Sequence, residues 1–500
     1  MGLFGTAGIR GGVRERVTPA LALAVGRAAG DAAERDADDG GSNGNDGSNG
    51  ERTSDATSNE FVLARDGRET SAGLAAAVEA GLLSAGTDVR RAGQLPTPAL
   101  AFASRGRRGV MVTASHNPPA DNGLKLFVDG EEYDRDAERR IEERVAADPA
   151  PVAWDRWGTI EHVAALPAYR EAAVACARRH GAALDGLPIA VDCANGTASR
   201  ATPQVLRALG AEVVALNASV DGHFSGRPSK PTPETLGDLR AFLADEAGPD
   251  GERGNPEDPG GIDAGPQDAT DEGFALGIAH DGDGDRVVFL DGGGEIVHED
   301  TVLAILAEHY TRASDAADPV VVTTPNASSR VDERVAAAGG RTERIGLGAL
   351  HEGIAAVRES GSAGTEVAFA AEPWKHVHPA FGPWIDGVAS AAVLARLAAK
   401  SGLDALRAPV TELPYRKASL ACPDERKESA MAELARTLPE RFPEAAVETE
   451  HGLRLDFEEG WVLVRPSGTE PKIRIYAESE TVDALLERVV EAVETATDGG

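Results

Sequence analysis

Three short segments of this chain carry residue types that do chemistry. Residues 113–118 read Thr-Ala-Ser-His-Asn-Pro and follow an apolar run, 109–113, that predicts a buried strand. Ser115 is thereby presented at a strand end, where open α/β sheets carry their chemistry, although the hexapeptide alone is also a good turn former. Residues 281–286 read Asp-Gly-Asp-Gly-Asp-Arg. Carboxylates at two-residue spacing in an extended loop can turn oxygens onto one hard cation, and magnesium fits. An EF-hand is excluded, because Arg286 stands where its turn glycine is required and Gly292 where its bidentate glutamate belongs. The same spacing also suits a hairpin with Asp-Gly turns. Arg286 could reach a phosphate bound to that metal. Residues 465–470, Arg-Pro-Ser-Gly-Thr-Glu, gather a guanidinium, two hydroxyls and a glycine backbone, the donors a phosphate monoester needs.

Two weaker signals accompany these. Arg10 sits among Gly5, Gly8, Gly11 and Gly12, a setting in which backbone N–H groups can approach an anion. Lys125 has apolar neighbours on both sides, so burial would lower its pKa and suit it to acid–base work, unless it snorkels to solvent.

The elements that must position these groups follow from the pattern of the 500 residues, too many for one core. Strand runs near 61–64, 87–92 and 109–113 alternate with helical stretches at 19–33, 69–84 and 97–104. A second β–α–β pattern starts at 187, and a third runs from 274 to about 400. The alternation predicts mainly parallel, doubly wound sheets. From 403 onward the pattern changes to a hairpin around the Arg465 loop and a closing helix at 482–496, an α+β domain. Domain limits are therefore expected at 1–150, 151–260, 261–400 and 401–500. Residues 36–58 and 245–272 are nearly devoid of apolar side chains and read as solvated insertions.

Composition bounds the partners. Fifty basic against 82 acidic residues give a formal charge of −32, which excludes nucleic acid and anionic membranes as expected partners. Only seven of the basic residues are lysine, and the acidic surface resembles that of proteins from a salt-rich cytosol. Cys176, Cys193 and Cys422 have no Cys-x-x-Cys spacing, so no disulfide framework or zinc site follows. The absence of a charged-then-apolar leader or long apolar run makes the cytoplasm the expected location.

Taken together and in order, these motifs resemble those of the α-D-phosphohexomutase superfamily, the phosphoglucomutases, phosphomannomutases and phosphoglucosamine mutases, over essentially the whole chain. The resemblance implies three related mixed or parallel α/β domains and a smaller C-terminal α+β domain around a central cleft. It implies that Ser115 carries a phosphoryl group and, with Asp281, Asp283 and Asp285, binds one Mg²⁺. Arg10, His116, Lys125 and Arg286 match positions near the transferring phosphate. Glu372 and His376 match a sugar-binding loop of Glu-x-Ser-Gly-His type, and Arg465, Ser467, Gly468 and Thr469 a phosphate-binding loop. Two departures stand out: Trp374 and Lys375 replace the small Ser-Gly pair, and Ala7 stands where the family often has Asp.

The implied reaction moves phosphate between the 1- and 6-positions of a hexose or hexosamine phosphate through a bisphosphorylated intermediate, with Lys125 or His116 handling the hydroxyl proton. A bulky Trp374 that shrinks the sugar pocket would favour a pentose phosphate instead. A catalytically silent sugar-phosphate binder needs neither Ser115 nor the aspartates, and a phosphatase needs no second phosphate grip at Arg465. The partner is a small sugar phosphate, and a monomer and a homo-oligomer are both compatible.

Overall fold

The computed structural model describes residues 2–5, 8–41, 60–247, 273–467 and 470–498. Ala7, Gly468, Thr469 and most of the two acidic stretches lie outside the described residues. The chain forms two compact bodies, one built on Gly8–Glu299 with Trp374–Leu406 and the other on Asp300–Pro373 with Arg407–Gly500.

The first body holds two sheets. One runs in the order Ile9–Gly12, Asp121–Val128, Arg108–Val112, Phe61–Arg65, Val89–Gln94 and Ile160–His162. Its last four strands are parallel, as the β/α alternation requires, while Asp121–Val128 is antiparallel to both of its neighbours. That strand follows the Ser115 loop directly and brings Lys125 opposite Met111. The sheet is therefore mixed: the return from the loop is too short for a helical crossover and has to pair as a hairpin. The first helix spans Pro19–Gly41, beyond the expected end at 33.

The second sheet has the order Val287–Asp291, Leu276–His280, Pro188–Asp192 and Glu212–Leu216. The two central strands are parallel and Val287–Asp291 is antiparallel to Leu276–His280, with His280 opposite Val287. The Asp-rich segment is thus both a hairpin connection and a carboxylate cluster. This pairing moves the boundary drawn from sequence at 260/261. The acidic stretch reads as a linker, yet the chain returns after it to the sheet it left. The helix Gly237–Ala247 already includes the first residues of that stretch.

In the second body, Arg341–Arg344, Asp318–Thr323 and Thr365–Glu372 pair in parallel. A five-stranded antiparallel sheet, Tyr415–Ala421, Lys472–Ser479, Gly460–Pro466, Leu453–Phe457 and Ala446–Glu448, carries the C-terminal helices Asp424–Arg441 and Val482–Asp498. A buried ion pair joins the halves of this body. Arg330 Nη2 lies 2.7 Å from Glu478 Oε1, both side chains being at most 2% exposed. Ser328 Oγ donates to the same carboxylate at 2.6 Å and Trp461 Nε1 to its other oxygen at 2.6 Å. Removing one member of a buried pair strands the other charge, so Glu478→Ala should cost about 3–5 kcal/mol. Urea unfolding of the variant against the parent measures this.

Candidate active site

The loop bearing Ser115 is shaped by a guanidinium that captures its backbone. Arg68 is buried and uses all five N–H donors: Nη1 to Pro118 O (2.6 Å) and Asp121 O (2.9 Å), Nη2 to Ser115 O (2.7 Å) and Asn117 O (2.8 Å), and Nε to Asp66 Oδ2 (3.0 Å). Its face lies 5.0 Å from the Phe224 ring centroid. Asp66 in turn accepts from Ser71 Oγ at 2.6 Å and Thr113 Oγ1 at 2.8 Å. Ser115 takes up a left-handed conformation, φ 51°, steadied by its N–H donating to Thr113 Oγ1 at 2.9 Å. The sequence shows Asp66 and Arg68 only as polar residues after a strand; their burial and the four carbonyls they organise are tertiary facts.

The Asp-rich hairpin meets this loop. Ser115 Oγ donates to Asp281 Oδ2 at 2.7 Å and lies 3.4 Å from both Asp285 Oδ1 and His116 Nδ1. Thr97 Oγ1 donates to Asp283 Oδ2 at 2.6 Å, and Thr113 Oγ1 lies 3.1 Å from the same oxygen. Gly284 has φ +73° and Gly282 passes so close that a Cβ would sit 3.0 Å from Ser115 O and from the Phe224 ring. A side chain at Gly282 would separate the two loops, and one at Gly284 would be strained and press on Ala198 and Pro96. His280 braces the hairpin: its Nδ1 lies 2.8 Å from Arg286 O and its Nε2 2.9 Å from Thr202 Oγ1.

Asp281, Asp283 and Asp285 are at most 1% exposed and offer oxygens within 4.8 Å of one another. Asp283 Oδ1 has no hydrogen-bond partner among the described residues. An all-oxygen donor set of this kind, with Ser115 Oγ beside it, fits a hard divalent cation. Burial and then the neighbouring carboxylates raise Asp281 and Asp283 above the usual carboxylate range. Burial also pushes Asp285 upward, but Lys125 foremost, with Lys375, Arg286 and Arg10, holds it well below.

Lys125 departs from expectation. It is 2% exposed, with Nζ 2.9 Å from Glu132 Oε1 and 3.0 Å from Asp285 Oδ2. Burial lowers its pKa, yet Glu132 and Asp285 more than reverse that, and the net shift is upward. Burial, Arg286 and Arg10 drive His116 down to about 2, so its imidazole is neutral. Arg286 Nε stands 3.9 Å from Asp281 Oδ2, and Arg10, opposite Gly123 in the sheet, acts electrostatically on His116 and Asp285. Six of the residues singled out for this centre therefore converge with Ser115 and Lys125.

The other candidates are placed elsewhere. His376 is buried, its Nδ1 3.0 Å from Ser390 Oγ, which also lies 2.8 Å from His378 Nε2 and donates to Asp386 O at 2.8 Å. Because Ser390 spends its proton on that carbonyl, both imidazoles must donate to it, which puts the His376 proton on Nδ1. Trp374, with φ 70°, packs against the apolar cluster of Ala190, Leu239, Leu243 and Leu290. Its ring is half-buried, with one side packed against the second sheet's apolar cluster. In the second body the Glu372 carboxylate accepts from Gly348 N. There Arg465 Nη2 donates to Tyr476 Oη at 3.1 Å, Ser467 Oγ accepts from Glu470 N at 3.2 Å, and Lys427 Nζ clamps the loop through Ser467 O and Glu470 O. Lys427 is distant in sequence and only the fold brings it there.

Family models for phosphoglucomutase/phosphomannomutase match residues 48–151 (domain I), 167–294 (domain II) and 420–496 (C-terminal domain). The chain is 38% identical to a phosphopentomutase of Thermococcus kodakarensis over 491 residues, 96% of this chain and 94% of that protein. The chain belongs to the phosphoglucomutase/phosphomannomutase family. It is also 36% identical, over 97% of its length and 95% of the relative's, to a Methanopyrus kandleri protein named "Probable phosphoglucosamine mutase". Among solved structures, a phosphoglucomutase/phosphomannomutase family protein of Burkholderia thailandensis superposes with a TM-score of 0.77 at 25% identity, covering 100% of this chain and 98% of that one. The protein is accordingly an isomerase of the sugar-phosphate mutase class.

Two outcomes test this geometry. Replacing Arg68 by Lys leaves at most three donors for five acceptors, so Arg68→Lys should cost about 2–4 kcal/mol and speed amide exchange across 114–121. Buried His280 and His376 have pKa values lowered to about 4 and about 3 by burial. The unfolded chain, with histidines near 6.5, takes up protons first. Their contribution is thus complete above about pH 6.5 and lost as pH falls toward 4, on the order of 1–3 kcal/mol each. Urea midpoints across that window should drop, and His376→Asn should flatten the slope.

Proposed function

We propose that this mutase transfers phosphate between the 1- and 6-positions of a hexose or hexosamine phosphate, with Ser115 as the phosphoryl carrier. The observation that carries the reading is the 2.7 Å contact of Ser115 Oγ with Asp281 inside a buried ring of carboxylates and cations. Asp281, Asp283 and Asp285, with an oxygen on Ser115, would hold Mg²⁺, which offsets phosphate charge when bound. In the first transfer the P–Oγ bond of phosphorylated Ser115 breaks as a P–O bond to the sugar hydroxyl forms. The second transfer, from the other end of the bisphosphate, restores the phosphoserine.

Within this reading Lys125, locked between Glu132 and Asp285, works as a fixed positive charge. In this reading the proton of the attacking hydroxyl goes to a carboxylate beside Ser115, while His116, whose protonation burial, Arg286 and Arg10 disfavour, stays a neutral neighbour 3.4 Å from Ser115 Oγ. Arg10 and Arg286 balance the transferring phosphoryl group. Arg465, Ser467 and their loop supply donors for a phosphate that is not reacting. Glu372 and His376 address the sugar. The relatives named for glucosamine support the hexosamine reading; the relative named for a pentose makes ribose phosphate a necessary arm of the test.

Conversion of 1- to 6-phosphates of glucose, mannose and glucosamine, with ribose 1-phosphate to 5-phosphate alongside, should show a hexose or hexosamine as best substrate. Ser115→Ala should lower kcat by about 10⁴-fold or more without loss of fold. Mass spectrometry of active enzyme should find one phosphoryl group on Ser115, and chelation should stop turnover until Mg²⁺ returns. Free phosphate as the main product, or full activity of Ser115→Ala, would overturn the reading.

A further inference from the structure

Two parallel strands of the second sheet are fastened at their carboxyl ends by a guanidinium that the mechanism above does not use. Leu276–His280 pairs with Pro188–Asp192 as far as Ala279 opposite Asp192, and His280 lies one residue beyond that ladder. Arg227 continues the fastening there. Its Nη2 donates to His280 O at 2.7 Å, its Nε to Asp192 Oδ2 at 2.7 Å and its Nη1 to Pro228 O at 3.0 Å. Both side chains of the Arg227–Asp192 pair are at most 5% exposed. Asp192 is itself fixed, since its Oδ1 accepts from Ala194 N at 2.9 Å and from Asn217 Nδ2 at 3.1 Å.

The carbonyl that Arg227 holds belongs to the peptide plane that also contains the N and Cα of Asp281. Gripping that oxygen therefore sets the point from which the Asp281 side chain leaves the backbone. The loop that supplies Arg227 touches the Ser115 turn as well. Phe224, with φ 53°, faces the Arg68 guanidinium at 5.0 Å and abuts Gly282, and Ser229 Oγ donates to Asn117 O at 3.2 Å. One loop is thus in contact with both segments whose meeting brings Ser115 Oγ to 2.7 Å from Asp281 Oδ2. A buried ion pair adds little net stability over apolar packing of the same volume, so what this one adds is placement.

We propose that Arg227 is a positioning residue for the metal-binding hairpin, acting through the His280 carbonyl to set Asp281 against Ser115. This rests on the mutase reading above. Arg227→Met alone would strand the Asp192 charge, so the test is the double variant Asp192→Asn/Arg227→Met, in which the asparagine keeps an oxygen for Ala194 N. Titration of the unphosphorylated protein with Mn²⁺, without turnover, should show binding weakened about 10-fold. At limiting Mg²⁺ kcat should fall about 10-fold and recover as Mg²⁺ is raised to saturation, with KM for the sugar phosphate nearly unchanged. Glu478→Ala, which breaks a buried pair in the other body, should bind Mn²⁺ as the parent does.

Parent-like Mn²⁺ affinity in the double variant would overturn the proposal. An equal weakening in Glu478→Ala would trace the effect to lost stability and overturn it too, as would a loss confined to KM. Ser115→Ala in the same assay separates the two levels. If it is inactive while the double variant binds Mn²⁺ like the parent, only this inference fails; if it turns over, the mutase reading fails and this inference with it. Should the double variant not fold, Arg227→Lys, which cannot fork to both acceptors, is put through the same measurements, and the same results support or overturn the proposal.

Discussion

Three carboxylates buried within reach of one another repel, and much of the first body is arranged to make that repulsion tolerable. Two of the three are driven toward the protonated form by burial and by each other, while Asp285 is kept ionised because Lys125 is laid against it. Lys125 can serve there only because Asp121–Val128 turns back antiparallel beside the strand that leads to Ser115. The hydroxyls of Thr97, Thr113 and Ser115 supply the remaining contacts. Carboxylates gathered this closely suit a divalent cation, since binding one relieves their mutual repulsion.

Held charge and held backbone are separate problems here, solved by separate residues. Arg68 carries no obvious chemical duty, yet it gathers four carbonyls of the Ser115 turn, including Ser115 O in the buried centre. His280 does comparable service for the Asp-rich hairpin. Chemistry-bearing side chains are thereby freed from structural work.

Much of this is legible in the sequence because the chemistry is local. Ser115 and the aspartate triplet stand in contiguous segments whose spacing states their use, and the β/α alternation points to the fold class. What is not legible depends on distant partners. The upward shift of Lys125 requires Glu132 and Asp285 in space; the bland appearance of Asp66 and Arg68 hides a hub; and the return of the chain to its sheet after residue 272 looks, from composition, like the start of a new domain. Trp374 is a case of the same kind, since a bulky residue in a loop gives no sign in sequence of the apolar cluster its ring packs against.

The docking of that indole has a corollary. With the half-buried ring packed against the cluster that holds Leu239, Leu243 and Leu290, the attitude of the segment 374–376 is tied to the packing of the second sheet. Repacking of those aliphatic residues would then move a segment far from them in sequence, an effect that a comparison of the segment's own residues would overlook.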